Sequence, residues 1–127
     1  KGLIMEWSVI PYSTEDGKEP VFEFIQTLPE KHQAKAIWEI DLLEKFGINL
    51  TKPYVKPIEG DKYKGLWELR IQQGNNISRI FYFLSIENTF VLLHGFLKKS
   101  QKTSKRELNL ALEYMLDYKR RCKNGRT

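Results

Sequence analysis

A chain of 127 residues, 41% hydrophobic and with a net charge of +5, is one domain (1–127) by length and can bury roughly two-thirds of its unfolded surface. Its single cysteine, Cys122, excludes a disulfide framework and a cysteine-rich metal site, and no apolar run approaches a membrane span. No charged-then-apolar leader opens the chain, so a cytoplasmic setting is expected; residues 1–4 are set aside from the functional reading.

"MEWSVIPY" alternates Met5, Trp7 and Val9 and predicts a strand that stops at Pro11. After the loop "STEDGK", Val21, Phe24, Ile25 and Leu28 mark one face of a short helix with Pro20 in its first turn. Pro29 then starts a longer helix through Phe46, and Gly47 sits where a positive-φ terminator belongs. That helix is apolar over a wide arc, which predicts packing between the sheet and another helix, while His32 on it is expected at the surface. "INLTKPYVKPIEGDKYKG" has two prolines and little periodicity and is expected to be a connection.

Three strands follow, "LWELRI", "ISRIFYFLS" and "FVLLHGF", joined by the short turns "QQGNN" and "IEN" that mark an antiparallel meander. The chain closes with a helix from Ser104, where Ser104 and Glu107 form a capping-box pattern before the stripe Leu108, Ala111, Leu112, Met115 and Leu116. The order β-α-α-β-β-β-α predicts an α+β domain, with helices on one face of a curved, mainly antiparallel four-stranded sheet.

A two-residue turn at Gly74-Asn75 places Arg70 opposite Arg79, and one at Glu87-Asn88 places Phe81 opposite His94 and Arg79 opposite Phe96. The period of two then puts Trp67, Leu69, Ile71, Ile80, Tyr82, Leu84, Val91 and Leu93 on a core face under the helices. The other face carries Glu68, Arg70, Arg79, Phe81, Phe83, Leu92, His94 and Phe96. Two directly opposed arginines repel, so a compensating anion is required: Glu68 as an ion-pair partner, or a bound phosphate held by the guanidinium forks. His94 has two readings, a hydrogen-bonded structural residue or a proton-transfer group beside the arginines.

Charge is uneven along the chain. From Lys98 onward ten Lys/Arg stand against three acids, Glu107, Glu113 and Asp117, whereas the residues before carry a small acidic excess. A one-sided basic segment points to a polyanionic or acidic protein partner, and residues 119–127 read either as part of it or as a solvated basic tail.

"GLWELRI", "SRIFYF", "VLLHGFLKKSQKT" and the following "REL…A" resemble the HigB-like branch of the RelE/ParE toxin superfamily, the toxin half of type II toxin–antitoxin pairs. The likeness covers nearly the whole chain, including "PVFEFIQTLPEK", and departs where members usually place a proline after "KT" and this chain has Ser104. It implies a RelE-like fold and a metal-independent mRNA endoribonuclease without cofactor, in many members acting on mRNA held in the ribosome. RNA supplies its own 2′-OH nucleophile, so the protein need only deprotonate it, align it and stabilise the phosphorane. By position the resemblance assigns the phosphate-stabilising role to Arg79 and to Lys98 or Lys99, with Arg70 adjacent and His94 as the proton-transfer candidate. Lys62, Lys64, Lys102, Lys105 and Arg106 are expected to make salt-dependent RNA backbone contacts. The implied partners are mRNA, the ribosome and a HigA-like antitoxin of the helix-turn-helix type, with no membrane.

The rival from another class is a ParE-like toxin that inhibits DNA gyrase by binding, without nuclease chemistry. A plain RNA-binding module is the third reading, but no aromatic RNA-binding strand signature of the K-G-F-G-F-V kind is present.

Overall fold

The computed structural model describes residues 6–125. Met5 in the first expected strand and Arg126 in the basic tail lie outside them. The elements are β1 (Ser8–Pro11), α1 (Pro20–Gln26), α2 (Glu30–Phe46), β2 (Val55–Pro57), β3 (Trp67–Gln73), β4 (Asn76–Leu84), β5 (Thr89–Leu97) and α3 (Lys105–Lys123), with 3-10 turns at Gly47–Asn49 and Asp61–Tyr63.

The sheet has five strands rather than four, in the order β1-β5-β4-β3-β2, with β1 parallel to β5 and the other pairs antiparallel. The strand missed by sequence is β2. It has only three residues and ends on Pro57, too few to show a period of two, and its pairing with β3 defines it. The Gly74-Asn75 turn forms as expected, with Gln73 opposite Asn76 and Gly74 at φ 61. The second connection is one residue longer than expected: Leu84 pairs with Phe90 and Ser85 N donates to the Thr89 carbonyl, so Ile86, Glu87 and Asn88 form the loop, with Glu87 and Asn88 at φ 54 and 57.

The helices cover both faces, not one. α1 and α2 bury Val21, Ile25, Ala36, Ile40 and Leu43 against Leu69, Ile71, Ile80, Tyr82, Phe90 and Leu92. On the opposite face Ala111 and Met115 of α3 pack with Phe81, Phe83, Val91, Leu93 and Phe96. The reason is that the far face is too aromatic to leave wet, and the apolar stripe on α3 covers it together with Tyr12 and Leu66. The faces of β5 are therefore exchanged relative to the expected register at Val91, Leu92 and Leu93. The pairing is Phe81↔His94 and then Tyr82↔Leu92, so Leu93 is the extra residue of a β-bulge. One inserted residue flips every side chain beyond it, which moves Val91 under α3 and Leu92 under α1 and α2.

Gly95 and Gly47 have packing reasons. A Cβ on Gly95 would stand 2.4 Å from the Phe24 ring, so the glycine lets α1 lie directly on β5. Gly47 ends α2 with φ 56, and a Cβ there would overlap the Trp7 indole at 2.0 Å.

The expectation that His32 lies at the surface is corrected: it is 1% exposed, and its Nε2 pairs with Ser78 Oγ at 2.8 Å across the α2–sheet interface. Periodicity misses it because histidine counts as polar, whereas here it sits on the apolar arc and satisfies a buried hydroxyl. Glu39, further along α2, is equally buried, and its Oε2 lies 3.7 Å from Lys35 Nζ. Burial pushes the Glu39 carboxyl up to about 7, with Lys35 opposing. A carboxyl raised in the folded state binds its proton more tightly there than in the unfolded chain. Its stabilising contribution is therefore fully present below the ordinary value of 4.5 and lost as pH rises through about 7. Stability should fall by about 2–3 kcal/mol across that window through this group. Urea unfolding at the two ends checks it: Glu39→Gln should flatten the slope, and an unchanged slope would contradict the assignment.

Candidate functional site

The hairpin register places Arg70 opposite Arg79, as expected from the Gly74-Asn75 turn. Lys56 of β2 stands opposite Glu68 of β3, and Glu68 stands opposite Phe81 of β4. Glu68 lies between the two arginines, its Oε2 3.5 Å from Arg79 Nε and 3.8 Å from Arg70 Nε. Neither contact is a hydrogen bond, and both Nε groups are buried donors without one. Arg79 is fixed deeper: its side chain is 7% exposed against 38% for Arg70, and its Nη1 donates to the Ser78 carbonyl at 3.2 Å. Of the two compensations weighed for the opposed cations, Glu68 is present, yet one carboxylate is shared by two guanidiniums.

The rest of the charge comes from the chain leaving β5. Lys98 N donates to the Ile77 carbonyl at 2.8 Å, which continues the β4–β5 ladder one residue past the strand. The loop then folds back, with Lys98 Nζ donating to Thr103 Oγ1 at 3.2 Å, and α3 starts when Ser104 Oγ accepts from Arg106 N and Glu107 N. Sheet, loop and the first turn of α3 enclose a cleft of about 860 Å3. Lys56, Arg70, Arg79, Lys98 and Lys99 line it against the carboxylates of Glu59 and Glu68, with Ile77 and Leu108 as apolar wall.

Burial pulls the Lys98 amine below its ordinary range, with Arg79 and then Arg70 and Lys56 reinforcing and Glu68 opposing. Burial likewise lowers Arg79, which Glu68 opposes and Arg70 reinforces. A guanidinium keeps its charge under such a shift, whereas an amine is more readily found in its neutral form.

The structure brings together Arg70, Arg79, Lys98 and Lys99, and leaves His94 out. His94 Nε2 lies 2.6 Å from Glu107 Oε1 on α3, and its ring stacks against Phe81 and Phe96, with Tyr114 edge-on. It lines no part of the cleft. The physical cause is α3, which covers this face of β5 and brings the Glu107 carboxylate to His94. His94 acts as a latch between β5 and α3. His94→Gln should accordingly lower stability by about 1–2 kcal/mol while oligonucleotide affinity stays within about twofold. Thermal melting and a binding titration check this, and a larger loss of affinity than of stability would put His94 back in the site.

Lys62, Lys64, Lys102, Lys105 and Arg106 are exposed and none lines the cleft. They lie on its approaches: Lys62 and Lys64 flank Tyr63, whose hydroxyl donates to Asn109 of α3 at 2.9 Å, and Lys102 belongs to the loop that forms the cleft wall. The basic end of the chain is partly structural. Residues 119–123 continue α3, Arg121 pairs with Asp117 and the Ser13 carbonyl, and Tyr12 donates to Asp117 at 2.6 Å.

Sequence reasoning missed Lys56 as a site residue, because its strand was read as a connection. Once "YVKP" is extended, alternation alone puts Lys56 on the face away from the buried Val55. Among the described residues no group of three His, Cys, Asp or Glu side chains is placed to hold a metal ion, and no helix is long and apolar enough to cross a membrane.

A search of curated proteins finds no similar sequence. The family model described as phage derived protein Gp49-like (DUF891) matches residues 23–116, from α1 through Leu116 of α3, and so takes in both arginines and the lysine loop. The chain therefore belongs to the Gp49-like family of phage-derived proteins, a family associated with RelE-like toxins.

Proposed function

We propose that the chain is the toxin of a type II toxin–antitoxin pair and acts as an mRNA endoribonuclease at the cationic cleft. The observation that carries this reading is the pair of opposed guanidiniums sharing one carboxylate, with Lys98 and Lys99 across the cleft. Five cations against two carboxylates favour a bound phosphate over an empty cleft, and still more a phosphorane, on which charge accumulates.

The step needs no external nucleophile. The ribose 2′-oxygen forms a bond to phosphorus, the bond from phosphorus to the 5′-oxygen breaks, and a 2′,3′-cyclic phosphate results. The 2′-OH proton passes to the Lys98 amine in its unprotonated form, and Lys99 protonates the departing 5′-oxygen. Arg79 and Arg70 neutralise the non-bridging oxygens. His94 is replaced in the proton-transfer role by Lys98, which lines the cleft and whose pKa burial and the neighbouring Arg79 lower. The HigB-like resemblance adds mRNA on the ribosome as substrate, with the exposed Lys62, Lys64, Lys102, Lys105 and Arg106 contacting the RNA backbone, and a helix-turn-helix, HigA-like antitoxin that covers the cleft in the resting cell.

The gyrase-inhibiting reading is favoured by one observation, the withdrawal of His94 from the cleft. Controlled induction with mapping of mRNA 5′ ends separates the two. New ends that disappear in Arg79→Lys are expected. Growth arrest without new ends, or ends undiminished in both Arg79→Lys and Lys99→Ala, would sink the nuclease reading and leave inhibition by binding.

A further inference from the structure

β2 accompanies β3 only along Trp67–Leu69. The Arg70 N–H then donates to the Tyr54 carbonyl at 2.7 Å, and past that bond β3 has no strand partner on this edge among the described residues. Lys35 and Glu39 of α2 border one side of the opening, and Pro53 and Tyr54 border the other. Between them lies a second cavity of about 520 Å3, and its lining shares Arg70, Ile77 and Arg79 with the cationic cleft. The two arginines thus form the partition between two cavities.

The second cavity contains an unsatisfied acceptor. Glu39 is 1% exposed, and its Oε1 is buried without a hydrogen-bond partner. Lys35 does not supply one: its Nζ donates to the Gln72 carbonyl at 3.0 Å, stands over the Trp38 ring and reaches only Glu39 Oε2, at 3.7 Å. Tyr54 is held edge-on by Trp38, ring centroids 6.0 Å apart, and offers an aromatic wall. A buried acceptor left unpaired is costly, and the cost is recovered by whichever ligand brings an N–H to it. An aromatic wall, an unpaired acceptor and a phosphate clamp in the partition together fit a nucleotide that straddles it.

We infer that the second cavity receives the base next to the phosphate bound in the cleft, and that Glu39 selects bases carrying an exocyclic amine and rejects uracil. The inference rests on the RNA-cleaving reading of the cleft. Adenine, cytosine and guanine each bring an amino N–H to the Glu39 oxygen. Uracil flanks its one ring N–H with two carbonyls, so a carboxylate meets acceptor with acceptor on either side of it. The substitution Glu39→Gln changes just this property, since an amide can turn its NH2 toward a carbonyl.

Binding of uncleavable 2′-O-methyl tetranucleotides of A, C and U to the purified protein tests the inference without requiring catalysis. The titrations belong at about pH 8, above the value of about 7 for Glu39, so that the group is a carboxylate. In the native chain the A and C tetramers should bind about tenfold more tightly than U. Glu39→Gln should bring U within about threefold of the others, Tyr54→Ala should weaken A and C more than U, and Arg79→Lys should weaken all three in parallel. Equal binding of the three tetramers by the native chain, no binding of any, or discrimination that survives in Glu39→Gln would overturn it. Melting curves of the variants separate lost recognition from lost fold. Discrimination in binding combined with no mRNA cleavage on induction would end the nuclease reading and leave the base site standing.

Discussion

Arg79→Lys should lower RNA cleavage by about a hundredfold or more while costing the fold only about 1 kcal/mol. The buried guanidinium faces Glu68 on one side and the cleft on the other, and its Nε donor has no hydrogen bond in the free protein. A guanidinium can offer a phosphorane oxygen donors from one plane while still facing Glu68, and an ammonium cannot reproduce the planar fork. Lysine still neutralises Glu68, which is why the fold should survive. Arg79→Ala is a poorer probe, because it leaves a carboxylate that is itself buried with only the more distant, half-exposed Arg70. Removing one partner of a buried pair costs about 3–5 kcal/mol, enough to confuse unfolding with lost chemistry. Arg70→Lys should lose only about tenfold, since its side chain is already half in solvent and its removal relieves the opposed cations. Single-turnover cleavage beside melting curves checks the series, and equal losses at the two arginines would contradict the geometry.

Lys98→Met should reduce the rate by about a hundredfold to ten-thousandfold and remove a limb of the pH profile. The active form is the neutral amine. Burial and the neighbouring Arg79 hold its pKa below the ordinary lysine value, so in the native chain the rate should climb with pH and level off once that lowered pKa is passed. Methionine keeps the length of the stem and cannot accept the proton, so its profile should be flat over the same range. A variant that keeps the rising limb would assign it to another group. The Lys99→Met profile serves as the comparison, because Lys99 is exposed and acts as an acid toward the leaving oxygen.

The site was legible in the sequence where local turn chemistry sets register. Gly74-Asn75 is a short turn with a residue that tolerates positive φ, and from it Arg70↔Arg79 follows by counting; Arg79↔Phe96 also holds, but only because a loop one residue longer than expected is offset by the bulge at Leu93. The illegible parts have non-local causes. The bulge at Leu93 has no sequence mark, because Val91, Leu92 and Leu93 are equally apolar and either register buries them. The fate of His94 was decided by Glu107, thirteen positions away on a different element and read from sequence as a capping residue. His32 was misplaced for a similar reason, since only the fold reveals Ser78 as its partner. Lys56 was lost because a three-residue strand that ends on a proline cannot display periodicity. The expected single helical layer failed on α3, whose apolar stripe says that it must be buried but not against which face.

The chemistry of the RNA ends tests the central claim most directly. Attack by the 2′-oxygen at a phosphate held by Arg70, Arg79 and Lys98 must leave a 2′,3′-cyclic phosphate, or the 3′-phosphate formed when it opens, together with a 5′-hydroxyl. Cleavage of ribosome-bound mRNA by the purified protein should give those ends, and they should fall in proportion to the rate in Arg79→Lys. Ends carrying a 5′-phosphate and a 3′-hydroxyl would mean that water, not the ribose, is the nucleophile, and would contradict the account.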